Sequence, residues 1–370
     1  MKSKRTVGII TMHRPVSFGS SLQAYALQRK IESMGYDCEI IDYKYPNRLH
    51  YGQKPLSRRM TQFVRFMLNL PLGFPNVIEK IRFSLFRKRY LKLSSHYYDT
   101  AEKLCVAPPE YDVYCTGSDQ VWNSLFTKSD TSFLLSFVPE NRRKVSYASS
   151  FAVDYIKAGY EQTYKKYLSE YSHISVRESS GIRIIKELLD RSAQLVCDPT
   201  ILLTKEEWYP LVTKSKIKIT EPYILVFMLT YSFDPYPEVD RIIDTVHKKF
   251  GYRMVFLSGR KQDYLRKGAT VIKSAGPCEF LELIWNASFV ITSSFHGVAF
   301  SVNFGKDFIA IVKNGNSDSR LMSFLQKIHM EDRAVPFDSL AELPLASIDS
   351  QSALKEFRDF STDYLETILN

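Results

Sequence analysis

Short apolar runs alternate with amphipathic segments along almost the whole chain. The run at residues 6–11 is short and continuous, whereas residues 20–34 repeat apolar positions at helical spacing and are followed by Gly35, a residue that commonly ends helices. A second apolar run follows at residues 38–43. Short apolar runs that alternate with helices are typical of parallel strands joined by crossover helices. The pattern therefore predicts an α/β fold.

The alternation completes two cycles. The first cycle continues with predicted strands at residues 111–115, 144–148, 173–176 and 194–197, and with helices at residues 155–170 and 179–190. A polar stretch with Lys214, Lys216 and Lys218 precedes a second cycle, with strands at residues 223–229, 253–258, 289–292 and 308–312 and helices at residues 237–250, 278–286, 297–304 and 319–328. We predict one Rossmann-like domain at residues 1–215, a second at residues 216–350, and a C-terminal helix at residues 351–370.

Residues 54–92 interrupt this rhythm with a basic excursion that is expected to be helical. It holds ten basic residues against the single acid Glu79, with aromatic and aliphatic residues between them. Basic amphipathic helices with aromatic residues can lie on an anionic lipid surface. The alternative is a pair of ordinary helices that cover the sheet and expose a basic face to solvent.

Composition narrows the classes of partner. The 370 residues include 50 Lys and Arg against 40 Asp and Glu, a formal net charge of +10. This excess favours anionic partners such as phosphorylated metabolites, acidic glycans or an anionic membrane surface. No nucleic-acid motif accompanies the charge, so no nucleic-acid partner is expected. The five cysteines are scattered and never form a C-x-x-C pair, so we expect reduced thiols in the cytoplasm and no metal site.

The N-terminal apolar stretch, residues 7–10, is interrupted at once by Thr11, His13 and Arg14, and is too short for the core of a signal peptide. The longest later apolar run, residues 223–229, falls far short of the roughly 20 residues that a membrane-spanning helix needs. We therefore expect a soluble or peripheral protein.

Two loops that follow predicted strands of the first domain carry polar residues. The loop after the first strand ends in Gly19 and Ser20 at a helix start, where free N–H groups can receive an anion; a simply capped helix is the alternative. The loop after the strand at residues 111–115 offers hydrogen-bonding groups and an aromatic face suited to a sugar: Asp119, Gln120, Trp122 and Asn123. Its alternative is a turn in which Asp119 caps a helix.

Two further strand ends carry charged or titratable groups. Arg177 can hold a carboxylate or phosphate in bidentate fashion, or can form a structural pair with Glu178 or Asp198, of which Asp198 is expected to cap or support. In the second domain His296 stands beside a helix start and can act as a general acid or base. The accompanying residues of that domain are Ser293, Ser294, Gly297, Lys313 and Arg320.

Taken in order, these segments resemble the polysaccharide pyruvyl transferase family. The segments are His13-Arg14 with Phe18-Gly19-Ser20-Ser21-Leu22-Gln23, then Gly117-Ser118-Asp119-Gln120-Val121-Trp122-Asn123, Ser146-Tyr147-Ala148-Ser149-Ser150-Phe151, Ser175-Val176-Arg177-Glu178, Cys197-Asp198-Pro199-Thr200 and Ser294-Phe295-His296-Gly297. The resemblance runs from residue 6 to about residue 330, and the basic excursion is its least characteristic part.

The resemblance implies two Rossmann-like domains that face a cleft, as in GT-B glycosyltransferases. It also implies transfer of a pyruvyl group from phosphoenolpyruvate, a co-substrate, to hydroxyls of a sugar, with formation of a pyruvate ketal and without a cofactor. Arg177 and His296 are the implied catalytic residues, with Arg177, Ser293, Ser294, Gly297, Lys313 and Arg320 on the donor. The acceptor contacts are expected from His13, Gly19, Ser20, Gln23, Asp119, Gln120, Trp122 and Asn123.

One position departs from the family pattern, because Ser294 stands where the family's Arg-Leu-His-Gly motif has its arginine. We expect Arg320, and next Lys313, to supply the missing cation. The departure also leaves open a catalytically silent glycan-binding protein. A GT-B glycosyltransferase that uses a nucleotide sugar is a further alternative, because its fold class and glycan acceptor site would look alike from sequence. The acceptor is expected to be a cell-surface polysaccharide or its lipid-linked oligosaccharide precursor, met by a cytoplasmic protein that is peripheral at the inner face of the membrane.

Overall fold

The computed structural model describes residues 4–45, 70–128, 130–230, 233–313, 319–339, 341–347 and 351–370. The chain folds as two compact units. The first comprises Met1–Pro199 together with Tyr364–Asn370, and the second comprises Thr200–Asp363. No helix in the described ranges is both long enough and apolar enough to cross a bilayer.

The first unit is built on a parallel sheet whose strand order is β3-β2-β1-β4-β5. Its strands are β1 (Thr6–Ile10), β2 (Asp37–Tyr43), β3 (Leu93–Tyr98), β4 (Val113–Thr116) and β5 (Arg143–Ser146). A short parallel pair, β6 (Ser175–Val176) and β7 (Gln194–Leu195), joins the β5 side through single bridges such as Ser149 with Val176. The carboxyl ends of all these strands therefore meet at one edge.

Helices on both faces cover this sheet, as the alternation of apolar runs requires. They are α1 (Phe18–Ser33), α2 (Leu70–Tyr90), α3 (Ala101–Val106), α4 (Ser124–Thr127), α5 (Glu161–Leu168) and α6 (Ser179–Leu189). Within the basic excursion, residues 54–69 lie outside the described residues, and residues 70–90 form α2. Phe18 of α1 packs on Phe83 of α2 with ring centroids 5.3 Å apart, so the described part of the excursion covers α1.

The second unit repeats the plan with a parallel sheet of order β10-β9-β8-β11-β12-β13. Its strands are β8 (Tyr223–Phe227), β9 (Arg253–Leu257), β10 (Thr270–Ile272), β11 (Phe289–Thr292), β12 (Phe308–Val312) and β13 (Ala334–Pro336). Its longer helices are α8 (Lys205–Val212), α9 (Val239–Phe250), α10 (Pro277–Trp285), α11 (Phe295–Asn303) and α12 (Ser319–Lys327), and the one-turn helix α7 (Pro199–Leu202) lies at the boundary. The last helix, α13 (Gln351–Leu369), has its final residues in the first unit.

These two sheets confirm the predicted α/β class and the two Rossmann-like halves. The boundary between the units differs from the one expected after residue 215. Residues 200–215 pack within the second unit because the Asn303 amide donates to the carbonyl oxygens of Thr200 and Leu203, each at 2.9 Å. Trp208 of α8 also lies edge-on to Phe300 of α11 at 5.1 Å. The lysine-rich polar stretch is therefore a surface loop within a unit.

Candidate functional site

At the carboxyl edge of the first sheet, α1 begins beside the loop that follows β4. Ser17 caps α1 by accepting a hydrogen bond from the Ser20 amide at 3.4 Å, and Gly19 lies buried in the first turn. The Ser20 hydroxyl donates to Asp119 Oδ2 at 2.5 Å. Because helix starts leave amides without intrahelical partners, this edge combines N–H donors, a hydroxyl and a carboxylate. Such a set suits sugar hydroxyls.

Gln23 of α1 forms hydrogen bonds with both the loop after β1 and the loop after β4. Its amide nitrogen donates to Thr11 Oγ1 at 2.9 Å, and its amide oxygen accepts from the Ser118 amide at 3.1 Å. Thr11 Oγ1 in turn donates to the Ser118 carbonyl at 3.0 Å. Gln23 is fully buried, so it positions the loop after β4 and does not reach a ligand, in contrast to its expected place among the acceptor contacts.

Asp119 owes its orientation to an unusual backbone. Its φ of 73° lies in the left-handed region, and its Oδ1 accepts from the Gln120 amide at 2.8 Å. Just before it, Gly117 has no room for a side chain, since a Cβ there would lie 2.0 Å from the Tyr147 carbonyl oxygen. Asp119 is buried, with 7% of its surface exposed, and Gln120 is half-buried at the sheet edge.

Arg177 lies beneath Asp119 in a buried cluster of carboxylates. Its Nη1 is 2.7 Å from Asp198 Oδ2, its Nη2 is 3.5 Å from Asp119 Oδ1, and its Nε is 3.9 Å from Glu178 Oε2. Only 3% of Arg177 is exposed. This is the structural pairing that the sequence left open, and it differs from the open anion clamp that the resemblance implied. The guanidinium is instead placed to fix Asp119 and Asp198.

Two residues of the loop after β4 face the core. Trp122 is fully buried, donates from its indole nitrogen to the Phe133 carbonyl at 3.1 Å, and packs on Phe151 at 5.3 Å. Asn123 caps α4 by accepting from the Leu125 amide at 3.1 Å. The expectation that their side chains contact a sugar does not fit these placements, because the surrounding aromatic core and the helix cap occupy them.

His13 is also turned away from the edge, into a pair with Asp42 that sequence analysis did not identify. Its ring nitrogens face Asp42 Oδ1 at 3.0 Å and the Thr11 carbonyl at 3.2 Å. Arg14 donates to both Asp42 oxygens at 2.7 and 2.6 Å. Burial raises the pKa of Asp42, but hydrogen bonds from His13 and Arg14 outweigh it and lower that pKa to about 2. The signal for this pair was an acid inside the apolar run at residues 38–43.

In the second unit, the end of β11 leads directly into α11. Ser294 is the N-cap and accepts from the Gly297 amide at 3.3 Å. Ser293 exchanges hydrogen bonds with the Leu229 backbone beyond β8, at 2.8 and 3.2 Å. A Cβ on Gly297 would lie 2.5 Å from Thr292 Oγ1, so only glycine lets α11 approach the strand this closely. The two serines and the glycine therefore shape the start of α11.

His296 occupies the first turn of α11 and is partly exposed, with its ring edge-on to Phe295 at 5.2 Å. Phe295 also packs on Phe324 of α12 at 5.8 Å, which joins the two helices. Lys313 is exposed immediately after β12, and Arg320, 8% exposed, lies in the first turn of α12. His296 and Lys313 thus follow two neighbouring strands of this sheet, and Arg320 lies at the start of the helix that comes after the second of them. Across the described residues, no group of three or more His, Cys, Asp or Glu side chains is placed to hold a metal ion.

The family model described as polysaccharide pyruvyl transferase matches residues 18–314. The chain belongs to the polysaccharide pyruvyl transferase family. The match runs from the first turn of α1 to just after β12, so it includes Asp119, Arg177 and His296 but not His13 or Arg320. No curated protein matches the sequence at a significant level.

Solved structures share the fold at low sequence identity. UDP-GlcNAc 2-epimerase from Methanocaldococcus jannaschii aligns with a TM-score of 0.51 and 10% identity, over 97% of this chain and 99% of that one. UGT89C1 from Arabidopsis thaliana, complexed with UDP-L-rhamnose, gives 0.50 and 10%, over 100% and 99%. UDP-GlcNAc 2-epimerase from Neisseria meningitidis, bound to UDP-GlcNAc, gives 0.50 and 8%, over 99% and 94%. These likenesses establish a GT-B-like fold.

Proposed function

We propose that the protein transfers a pyruvyl group from phosphoenolpyruvate to hydroxyls of a sugar in a cell-surface polysaccharide or its lipid-linked precursor, with formation of a pyruvate ketal. The family match over residues 18–314 carries this proposal. The polar strand ends of both units support it, because they supply the two kinds of chemistry that the reaction needs, an anion site and a hydroxyl-binding site.

The donor is assigned to the second unit. Phosphoenolpyruvate combines a carboxylate with a phosphate that carries up to two negative charges at neutral pH. The N-terminus of α11 offers amides and the positive end of the helix dipole, and Ser293, Ser294 and Gly297 shape it. Arg320 and Lys313 supply the cations that Ser294 cannot. In this assignment the family's missing arginine is replaced from the strand end next to α11.

The proposed chemistry balances without a cofactor. His296 protonates the methylene carbon of phosphoenolpyruvate, and an acceptor hydroxyl adds to the neighbouring carbon that bears the phosphate oxygen. A second hydroxyl of the same sugar then displaces inorganic phosphate from that carbon, which closes the ketal. The proton of the first hydroxyl restores the one that His296 gave up, and the proton of the second hydroxyl leaves with the phosphate. The departing phosphate gains charge as its bond breaks, and in this proposal Arg320, Lys313 and the α11 amides stabilise that charge.

The acceptor is assigned to the first unit, with fewer contacts than sequence analysis expected. Ser20 and Asp119, each 7% exposed, and the half-buried Gln120 are the acceptor residues of this proposal, together with the amide of Gly19 in α1. Asp119 accepts a hydrogen bond from an acceptor hydroxyl and orients it. Arg177 takes part as a positioning residue, since its guanidinium faces Asp119 Oδ1 from below.

A nucleotide sugar is the competing donor, and one observation favours it: GT-B-like neighbours in the comparison are complexed with UDP-L-rhamnose or UDP-GlcNAc. A likeness at this identity concerns the fold alone. The catalytically silent glycan-binding alternative has the Ser294 departure as its support. Both alternatives can be distinguished from pyruvyl transfer by measuring which ligand stabilises the protein.

The deciding experiment is a thermal-shift titration of the full chain with phosphoenolpyruvate, inorganic phosphate and UDP. A ligand that binds only the folded state raises its stability by an amount set by the ligand's concentration and Kd. We expect stabilisation by phosphoenolpyruvate that exceeds that by phosphate, and loss of most of this shift in Arg320→Ala. The matched control is Lys249→Ala, an exposed cation at the end of α9.

The outcomes separate the three functions. Stabilisation by UDP without a response to phosphoenolpyruvate would assign the protein to glycosyl transfer. Absence of any response, together with no incorporation of label from radiolabelled phosphoenolpyruvate into glycolipid, would favour the silent glycan-binding protein.

We place the protein in the cytoplasm, where phosphoenolpyruvate is made, and expect its cysteines to stay reduced there.

A further inference from the structure

Helix α2 has two apolar faces, and its inner face is held against α1. Phe83 and Phe86 are buried, with Phe83 on Phe18 at 5.3 Å and Phe86 on Tyr25 at 6.0 Å between ring centroids. These contacts at one helical spacing fix how the helix is rotated about its axis. The opposite face of α2 must therefore point away from α1.

The opposite face carries aliphatic residues at the same helical spacing. Ile78, Ile81 and Leu85 recur at i, i+3 and i+7, and they are 38%, 50% and 43% exposed. We call these three residues the outer face of α2. A surface helix of a soluble domain normally turns polar residues to water, and a second apolar stripe indicates a further contact.

The charges around the outer face are positive. Lys88 and Arg89 are exposed on either side of Leu85, and Lys80 is exposed one turn earlier. Glu79 is the only acid between residues 76 and 90, and it is half-buried, where burial raises its pKa. Across residues 76–90 the exposed charged side chains are therefore all cationic.

We infer that the outer face of α2 docks the protein on an anionic lipid bilayer, with Ile78, Ile81 and Leu85 entering the headgroup region and the flanking cations contacting lipid phosphates. Aliphatic side chains between basic ones are the composition by which helices lie in a membrane interface. A second copy of this chain fits less well, because a symmetric contact through this face would bring the same cations together.

The location of this face bears on which class of acceptor the protein uses, an inference that rests on the proposed function. Phe18, which packs on α2, lies in the first turn of α1 together with Ser20, the residue that contacts Asp119. A bilayer on the outer face of α2 is therefore separated from α1, which carries Ser20, by about the diameter of one helix, ~10 Å. The substrate class that this arrangement favours is a sugar on a lipid anchor in an anionic membrane, and not a free oligosaccharide.

The test is vesicle flotation of the full chain, with phosphatidylcholine vesicles and with vesicles that also contain phosphatidylglycerol. We expect binding to the anionic vesicles alone, weakened by salt. Each Lys or Arg near an anionic surface contributes about fivefold to binding, so Lys88→Glu with Arg89→Glu should weaken it about thirtyfold or more. Ile81→Asp with Leu85→Asp should abolish binding, because it removes two of the three apolar side chains and lowers the net charge of the helix by two.

Two matched controls come from the same unit. Val106 at the end of α3 is 85% exposed, and Lys165 of α5 is exposed, so Val106→Asp and Lys165→Glu make the same chemical changes elsewhere. Both should bind vesicles as the unchanged protein does. Thermal midpoints of all variants identify any that fail to fold, and the charge variant keeps the test decisive if the aspartate variant unfolds.

Three results would overturn the inference: no binding to anionic vesicles at low salt, equal loss of binding in the controls and the α2 variants, or a dimer in solution that becomes monomeric only in the Ile81→Asp and Leu85→Asp variant. The last result would assign the face to a second copy of the chain. Flotation uses neither donor nor acceptor, whereas the thermal-shift titration uses no lipid. Failure of one therefore leaves the other standing.

Discussion

The Ser20 hydroxyl donates a 2.5 Å hydrogen bond to Asp119 Oδ2, and this contact joins the first turn of α1 to the loop after β4. Arg177 approaches the other oxygen of the same carboxylate from the buried side, at 3.5 Å. Asp119 is thus held from two directions at the carboxyl edge of the sheet, where open α/β folds bind ligands. Preorganised carboxylates of this kind orient a substrate without rearrangement.

The buried ion pair between Arg177 and Asp198 predicts a large loss of folding stability in Asp198→Asn. The substitution leaves the Arg177 guanidinium buried with its 2.7 Å partner neutralised, and removal of one charge from a buried pair costs about 3 kcal/mol or more. Asp190→Asn, at an exposed pair with Lys186, should cost far less, because water and salt screen that pair. Urea unfolding followed by circular dichroism measures both. Similar losses in the two variants would show that Arg177 finds another partner.

Much of the fold could be predicted because central strands of a parallel sheet are buried on both faces and read as apolar runs. The predicted bounds of β11 and β12 match the observed strands. The edge strand β3, with the sequence Leu-Ser-Ser-His-Tyr-Tyr, was not predicted because half of its residues face water and are polar. The short strands β10 and β13, each three residues long, gave too little pattern to detect.

The candidate site could be predicted less completely, because the direction of a polar side chain depends on contacts far along the chain. The strand ends identified the loops that hold the candidate residues. The Gln23 side-chain amide, however, is hydrogen-bonded to Thr11 and Ser118, and no local sequence pattern reveals these contacts. From sequence alone, Trp122 is equally consistent with a sugar-stacking residue and with a core residue. Its full burial and its packing on Phe151 show that it belongs to the core. Local spacing therefore located the site, and tertiary packing selected its members.

The low pKa of Asp42 predicts a loss of stability in acid. Since its folded-state pKa, about 2, lies below the value near 3.9 of an unfolded chain, its stabilisation is fully present above pH 4. It is then lost as the pH falls toward 2, and the shift corresponds to about 2 kcal/mol. Thermal midpoints of the unchanged protein and Asp42→Asn should therefore differ at pH 7 and converge toward pH 2. A difference that stays constant over this range would contradict the assignment of the pair with Arg14 and His13.

Ser294 allows a helix cap to be separated from a ligand contact. Ser294→Ala removes the cap on α11 and should cost about 1 kcal/mol, with the response to phosphoenolpyruvate retained. Ser294→Asp keeps a good cap but adds a negative charge where the donor's anionic groups are proposed to lie. This variant should be as stable as the unchanged protein and should lose most of the thermal shift by phosphoenolpyruvate. An undiminished shift in Ser294→Asp would place the donor away from the start of α11.

His296 predicts a separation of binding from turnover. If the imidazole delivers the proton to the donor's methylene carbon, then His296→Gln should leave the thermal shift by phosphoenolpyruvate within about twofold in apparent Kd, because Arg320, Lys313 and the helix amides hold the anion. Turnover should fall by about 100-fold or more, the usual contribution of a general acid.

The measurement is transfer of label from radiolabelled phosphoenolpyruvate into glycolipid extracted from the cells that produce the protein, with release of inorganic phosphate measured alongside. His247→Gln, which changes a histidine in the last turn of α9, is the matched control and should keep full turnover. Equal loss of binding and turnover in His296→Gln would instead make His296 part of the anion site, and undiminished turnover would remove it from the chemistry.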